Sequence, residues 1–448
     1  MAFSMEGEAH ISRLQFNAAA YADWLKAMLI PGRRMPMSEL VEKELPPLSR
    51  EDVGSLPKAE KQLQWNSAEK FVAHRNMHHI FPRDVIESGD AVRVLERMPD
   101  ISVRYVHHGV QEDIDSYFSR TRATGLLVLK NGKIALERYE HGNNPSTRWA
   151  SRSMGKSFAS TIVGVAVQDG YIKSIDDSVC DYIDELKGSY YENVTIRHLM
   201  QMVTGGQYVE DHDDPTSDVY RLQGCTFGGR KGAFLELISE IANRPPRFGT
   251  PPGTVWNYSS MDSVLCGLVA ERASGIRPAA YLSQRIWRPY GMEADGFWNT
   301  EADGGTTFTG SGIGATLRDY GRFGQFILEG GKIGERQVLP SWWIDEAAKP
   351  TKASLAIHKP YGFQWWLHSA EGVNTTLALD AATTVEEPVA MRGGDSMFYA
   401  LGNSGQMIAI NRDENVVIVK WAAWDETTSS KRANEDMALY AAIVDKLS

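Results

Sequence analysis

Ser153-Met154-Gly155-Lys156 sets a hydroxyl and an amine three residues apart. That spacing is nearly one helical turn, so both groups can share one face. A serine hydroxyl is a poor nucleophile until a neighbouring base takes its proton, and a lysine becomes a base only when burial lowers its pKa. A helix start adds partial positive charge that favours an oxyanion and depresses the amine. The ordinary alternative is a serine cap followed by a solvated lysine. A second group, residues 252–260, leads through a turn to Tyr258 just ahead of a helix. A phenol there can act as general base or proton relay beside an ammonium; otherwise it is a core tyrosine. In a third group, Phe398 to Gln406, small residues around Asn403-Ser404 interrupt a strand pattern. Glycine inside a strand often marks close approach by a ligand or another backbone. Amides at that edge, with the amide of Ser153, can form an oxyanion hole. Gly402-Asn403 is equally ordinary turn chemistry.

The elements around these groups predict an α+β (mixed α/β) fold. Gly125–Leu129 and Lys133–Glu140 flank Asn131-Gly132, a strong hairpin signal, and should lie in an antiparallel sheet. Met154 to Gln168 has helical spacing and ends near Gly170, which suits a left-handed cap. Helices are expected at Val194–Met202 and Ser263–Ala273, within a mostly helical lobe at about 190–300. Strands return at Gly362–Leu367, Ser396–Leu401, Gln406–Asn411 and Val416–Trp421, the last two turning at 412–415. The sheet is thus built from both chain ends, with helices flanking it. Residues 1–64, with a helical stretch at Asn17–Leu29, read as an N-terminal extension of a catalytic domain spanning 65–448.

The chain has 448 residues, 42% of them hydrophobic and 23% charged, which is enough for a large core. Its net charge of −10 comes without any run of Lys or Arg, so no nucleic-acid partner is expected. Three cysteines, Cys180, Cys225 and Cys266, lack a zinc or disulfide spacing. His74 and His78 stand four apart without the glutamate of a HExxH helix. The acidic run Glu210 to Asp214 lacks the closing glutamate of a calcium loop and reads as a solvated loop at the cleft border. No metal and no cofactor are therefore expected. With no signal-like start and no 18-residue apolar run, the expectation is a cytoplasmic protein off the membrane. A homodimer is left open.

The three groups occur in the order seen in the serine β-lactamase and penicillin-binding protein superfamily, which the chain resembles. Ser153-x-x-Lys156 is similar to its first motif and Tyr258-Ser259-Ser260 to its Tyr-x-Asn or Tyr-x-Ser motif. Gly402-Asn403-Ser404-Gly405 lies where Lys-Thr-Gly or His-x-Gly is expected. Asn76–Pro82, Asp213–Ser217 and Gly402–Gln406 resemble the 6-aminohexanoate-dimer hydrolase branch and related class C-like carboxylesterases, from about residue 65 onward. The resemblance implies a β-lactamase/transpeptidase-like fold and acyl transfer through Ser153, Lys156 and Tyr258. It also implies an aromatic residue on the loop between the first two motifs, where His212 falls by spacing and Tyr208 is a second candidate. Asn403, Ser404 and Trp366 complete the expected substrate-binding set. The third motif lacks a fixed cation, and Arg392 upstream reads as a surface residue. The expectation is a hydrolase of small linear amides or esters working through an acyl-enzyme. The alternative is a catalytically idle relative that uses the cleft for binding.

Overall fold

A computed structural model describes residues 41–368, 389–427 and 429–448, omitting the side chains of residues 430 and 431. The helical stretch expected at Asn17–Leu29 lies outside the described residues.

In chain order the elements that matter to the site begin with helix α1 (Ser67–Arg75) and strand β1 (Arg83–Ile86). The hairpin β2 (Ala123–Lys130) and β3 (Lys133–Tyr139) follows. Asn131 and Gly132 between them both take positive φ, 50° and 74°, as a tight primed turn demands. After the short β4 (Trp149–Ala150) come the long buried helix α2 (Gly155–Gln168), α3 (Ile196–Gln201) and α4 (Ser260–Ser274). Next are β5 (Gly296–Asn299), β6 (Ile313–Ala315) and α5 (Leu317–Leu328). The chain closes with β7 (Trp366–Leu367), β8 (Met397–Gly402), β9 (Gln406–Asn411), β10 (Val416–Ala422) and α6 (Ser430–Leu447).

Strands from both chain ends form one antiparallel sheet in the order β7-β8-β9-β10-β2-β3. A smaller antiparallel sheet runs β1-β5-β6-β4. Pairing β10 with β2, from Val416 opposite Lys130 to Ala422 opposite Ala123, joins the two ends of the chain. Such a non-local pairing is the feature that a local sequence pattern does not report.

The apolar positions of α2 point in every direction, and from Gly155 to Ala166 every residue is buried. A helix apolar on all sides belongs inside a core rather than on a surface. Its neighbour α4 begins where the Ser259 side chain accepts from the Asp262 amide at 3.0 Å, and it ends at Gly275 in the left-handed conformation.

One expected strand is shorter than its pattern. Of Gly362–Leu367 only Trp366–Leu367 pairs as a strand. Upstream the chain curls: Gln364 has φ 58°, its amide donates to the Met200 carbonyl at 2.8 Å, and the Gly362 amide donates to the Trp365 carbonyl at 2.9 Å. A Cβ at residue 362 would lie 1.8 Å from the Ala347 carbonyl oxygen, so glycine is needed there. The apolar run reflects burial, not extended backbone.

Candidate active site

Ser153 sits in a single 3-10 turn, Arg152–Met154, that feeds directly into α2. Its amide is among the first N–H groups of this helical run, which have no intrahelical acceptor. Arg152 takes φ 51°, a conformation that L-residues adopt at a cost. The turn is crowded by β8, since a Cβ at Gly402 would stand 2.4 Å from the Ser151 carbonyl oxygen. The glycine of the third motif therefore lets the strand end come against the serine turn.

Lys156, one turn on, is 1% exposed. Its Nζ lies 3.2 Å from Ser153 Oγ, 2.9 Å from Ser260 Oγ and 2.7 Å from the Gly310 carbonyl oxygen. Burial is the main cause that brings its pKa down to about 8; Glu210 works against that fall and Arg152 adds to it. Toward Tyr258 the amine sits over the ring, 4.9 Å from the centroid. The loop carrying Tyr258 is laid down by backbone bonds, Gly253 N–H to the Val203 carbonyl at 2.7 Å and Asn257 N–H to the Met202 carbonyl at 2.9 Å. Burial and the Glu210 charge raise the phenol's pKa, with the Ser153 hydroxyl acting in the opposite sense. That environment favours the neutral phenol, so Tyr258 suits a proton relay better than a phenolate base.

The other expected site residues lie as follows. Trp366 is 2% exposed and packs behind Tyr258, ring centroids 5.5 Å apart. Tyr208 is 1% exposed, with its phenol close to the charge of Glu210. Both are part of the core behind the site. Ser404 is buried with φ 59°. Its amide, one of those at the strand edge considered for the oxyanion, donates to the Thr427 carbonyl at 2.8 Å, and its own carbonyl accepts from the Trp424 amide and Gln406 Nε2, both at 3.2 Å. Asn403 is half-buried, and its Oδ1 accepts from Arg152 Nε at 2.7 Å. Arg392 is exposed and pairs with Glu414 at 2.8 Å.

His212 lies with Nε2 3.5 Å from Glu210 Oε1, and Glu210 is the residue that the sequence reading missed. Asp211 and Asp213 are exposed, as expected of a solvated loop, but the Glu210 side chain turns inward. That side chain is 8% exposed, Oε1 accepts from the Ser260 hydroxyl at 2.7 Å and Oε2 from the Ser260 amide at 2.8 Å. Burial pushes its pKa up, but His212, Lys156 and Ser260 together bring it down to about 2. In the sequence nothing sets it apart from Asp211, Asp213 and Asp214; only the fold turns it inward. Arg152 was missed as well. It is 4% exposed, ties the serine turn to Asn403, and has an Nη1 without a hydrogen-bond partner among the described residues.

The cysteines are free thiols, two of them buried. Among the described residues no group of three or more His, Cys, Asp or Glu could hold a metal ion, and no helix is long and apolar enough to cross a membrane.

Over 326 residues the chain is 24% identical to a 6-aminohexanoate-dimer hydrolase of Paenarthrobacter ureafaciens, covering 70% of this chain and 76% of that one. A solved structure assigned as a 6-aminohexanoate-dimer hydrolase from Bacillus anthracis superposes with TM-score 0.72 at 21% identity, covering 90% of this chain and 99% of the other. A D-stereospecific amidohydrolase from Streptomyces sp. superposes with TM-score 0.53 at 15% identity, covering 71% and 94%. A sequence model of the β-lactamase family matches residues 110–442. The chain belongs to the β-lactamase family, with the mixed α+β fold of that superfamily.

Proposed function

We propose that the protein is a serine hydrolase of small linear amides or esters, acylated on Ser153. The observation that carries this reading is the buried amine of Lys156, 3.2 Å from the Ser153 hydroxyl, at the head of a core helix. With a pKa of about 8, roughly a tenth of the lysine is neutral at pH 7. The neutral amine takes the Ser153 proton as Oγ attacks the carbonyl carbon. The oxyanion is held by the amide of Ser153 and, since that of Ser404 is taken up by Thr427, by the amide of Asn403 at the end of β8. As the tetrahedral adduct collapses, Tyr258 relays the proton to the leaving group, and water attacks the acyl-enzyme by the same route. The names of the amide-cleaving relatives support linear amides as substrates, and Asn403 in place of a fixed cation speaks against a carboxylate clamp.

Labelling with a fluorophosphonate followed by peptide mapping tests the reading. The expected adduct is on Ser153, with competing protection by a p-nitrophenyl ester of a short acid. Labelling elsewhere, or a folded protein that neither labels nor turns over ester or aminohexanoate dimer, overturns it.

A further inference from the structure

Glu210 carries an inference that rests on the acyl-enzyme reading above. A neutral amine has two N–H donors and one lone pair, while an ammonium has three donors. Around Lys156 Nζ stand three oxygens, those of Ser153, Ser260 and Gly310. The Gly310 carbonyl can only accept. The Ser260 hydroxyl could accept or donate, but its single proton is committed to Glu210 Oε1 at 2.7 Å, so toward Lys156 it too can only accept. When the lysine is neutral, its two N–H groups are consumed by these acceptors. The lone pair is then left facing Ser153.

We propose that Glu210 is a positioning residue: by fixing the direction of the Ser260 hydroxyl, it aims the Lys156 lone pair at the Ser153 proton. The carboxylate is itself fixed, because its second oxygen accepts from the Ser260 amide at 2.8 Å. It stays ionised over the working range, with its pKa near 2, and an ionised carboxylate accepts without donating. Its charge also favours the ammonium formed when the Ser153 O–H bond breaks and Oγ bonds to the carbonyl carbon. That ammonium keeps the proton until the carbonyl re-forms, the C–N or C–O bond breaks, and the proton passes to the leaving atom.

Other charges face this pair. Arg152 bears on Lys156; His212, Tyr208, Tyr258, Tyr361 and Asp262 surround Glu210. Asp262 titrates near 7, inside the range of interest, so Asp262→Asn is the control.

The experiment measures kcat/KM against pH for a p-nitrophenyl ester with wild type, Glu210→Gln, Glu210→Asp, Ser260→Ala and the Glu210→Gln/Ser260→Ala double variant. A glutamine amide donates to Ser260, freeing the hydroxyl to donate to Lys156 and occupy its lone pair. Expected for Glu210→Gln are a plateau lower by about tenfold to a hundredfold and an acid limb moved to lower pH by about one unit or more, since a negative charge is lost beside the lysine. Glu210→Asp retains the limb position of wild type, and Asp262→Asn leaves it in place. Because Glu210 acts through Ser260, the double variant loses no more than the worse single variant. Additive losses with an unmoved limb overturn the inference while leaving the acyl-enzyme reading intact. Undiminished turnover by Ser153→Ala overturns that reading instead, whatever Glu210→Gln does.

Discussion

Lys156 and Lys420 are both buried near carboxylates, and the fold treats them differently. In the cleft, Lys156 and Glu210 are kept apart by the Ser260 hydroxyl, which bonds to each. Under the C-terminal helix, Lys420 on β10 contacts Asp436 on α6 directly, with side chains 1% and 2% exposed. Tyr117 bonds the same carboxylate, and the Trp424 ring lies 4.4 Å from the ammonium. For the direct pair, burial pulls Lys420 down and Asp436 up, against their mutual attraction. Its groups are occupied by one another, and what they do is fix a helix to a sheet. In the bridged pair the carboxylate stays strongly acidic while the lysine falls to about 8, and the amine keeps a position open toward Ser153. In the proposed reading, one intervening hydroxyl separates a structural ion pair from a base that can exchange a proton.

The comparison breaks most visibly at the proposed nucleophile, Ser153. Ser153→Ala is expected to lower ester hydrolysis by about a thousandfold or more, while thermal unfolding changes little, because a residue at a helix start contributes about 1 kcal/mol. Near-normal turnover by a folded variant would mean that the Lys156 amine serves some other group. At the direct pair the effect should reverse in kind. Asp436→Asn leaves a buried ammonium without its counter-charge, a loss of about 3–5 kcal/mol. Urea unfolding should show that loss, and the acid limb of the pH–rate profile should stay where it is. A moved limb with unchanged stability would erase the distinction between the two pairs.

How far the sequence revealed this follows from which contacts are local. Ser153 and Lys156 lie one turn apart in one helix, so spacing alone brought them together. Asn131-Gly132 announced its hairpin for the same reason, through two positive φ angles. Tyr258 needed the order of motifs, because its position depends on backbone bonds to residues about fifty positions earlier. Glu210 was lost among three acidic neighbours. Its inward turn is set by Ser260, fifty residues away, and no periodicity reports such a contact. Ser404 shows the same limit: the pattern points to amides at that strand edge without saying which is available, and the chain after β10 brings the Thr427 carbonyl onto the Ser404 amide.

Another buried carboxylate, Asp262, sharpens the contrast by having no cation beside it among the described residues. Asp262 is 1% exposed and accepts from the Tyr191 and Thr204 hydroxyls, each at 3.1 Å. Burial raises its pKa to about 7. The folded value lies above the unfolded one, so its contribution to stability is full below about pH 4 and is lost as pH rises to about 7. The loss is of order a few kcal/mol, from a shift of roughly three units. Asp262→Asn should flatten the decline in urea-unfolding stability between pH 4 and 7. A variant with the slope of wild type would show that Asp262 is already ionised in the fold.

The smallest expected effect concerns substrate choice, and it turns on the third motif. Asn403 turns its carbonyl oxygen toward Arg152 Nε at 2.7 Å, which anchors it as part of the serine turn and leaves no fixed cation of its own to offer. Arg392 is paired with Glu414 at 2.8 Å and exposed, so it does not supply the missing charge. A β-lactam that relies on its carboxylate for binding loses one charge-assisted contact, which is about 1.5–3 kcal/mol. If that contact persists in the transition state, the difference is about tenfold to a hundredfold in kcat/KM. Open-chain esters and amides do not depend on it. We therefore expect a p-nitrophenyl ester and an aminohexanoate dimer each to exceed nitrocefin by about tenfold or more in kcat/KM under one set of conditions. Restoring a cation with Asn403→Lys should narrow the gap from the nitrocefin side, by an amount that falls as salt is added, since a partly exposed charge is screened. If nitrocefin is turned over fastest by the wild-type protein, the buried Arg152 reaches the ligand after all, and Arg152→Met should then abolish the preference.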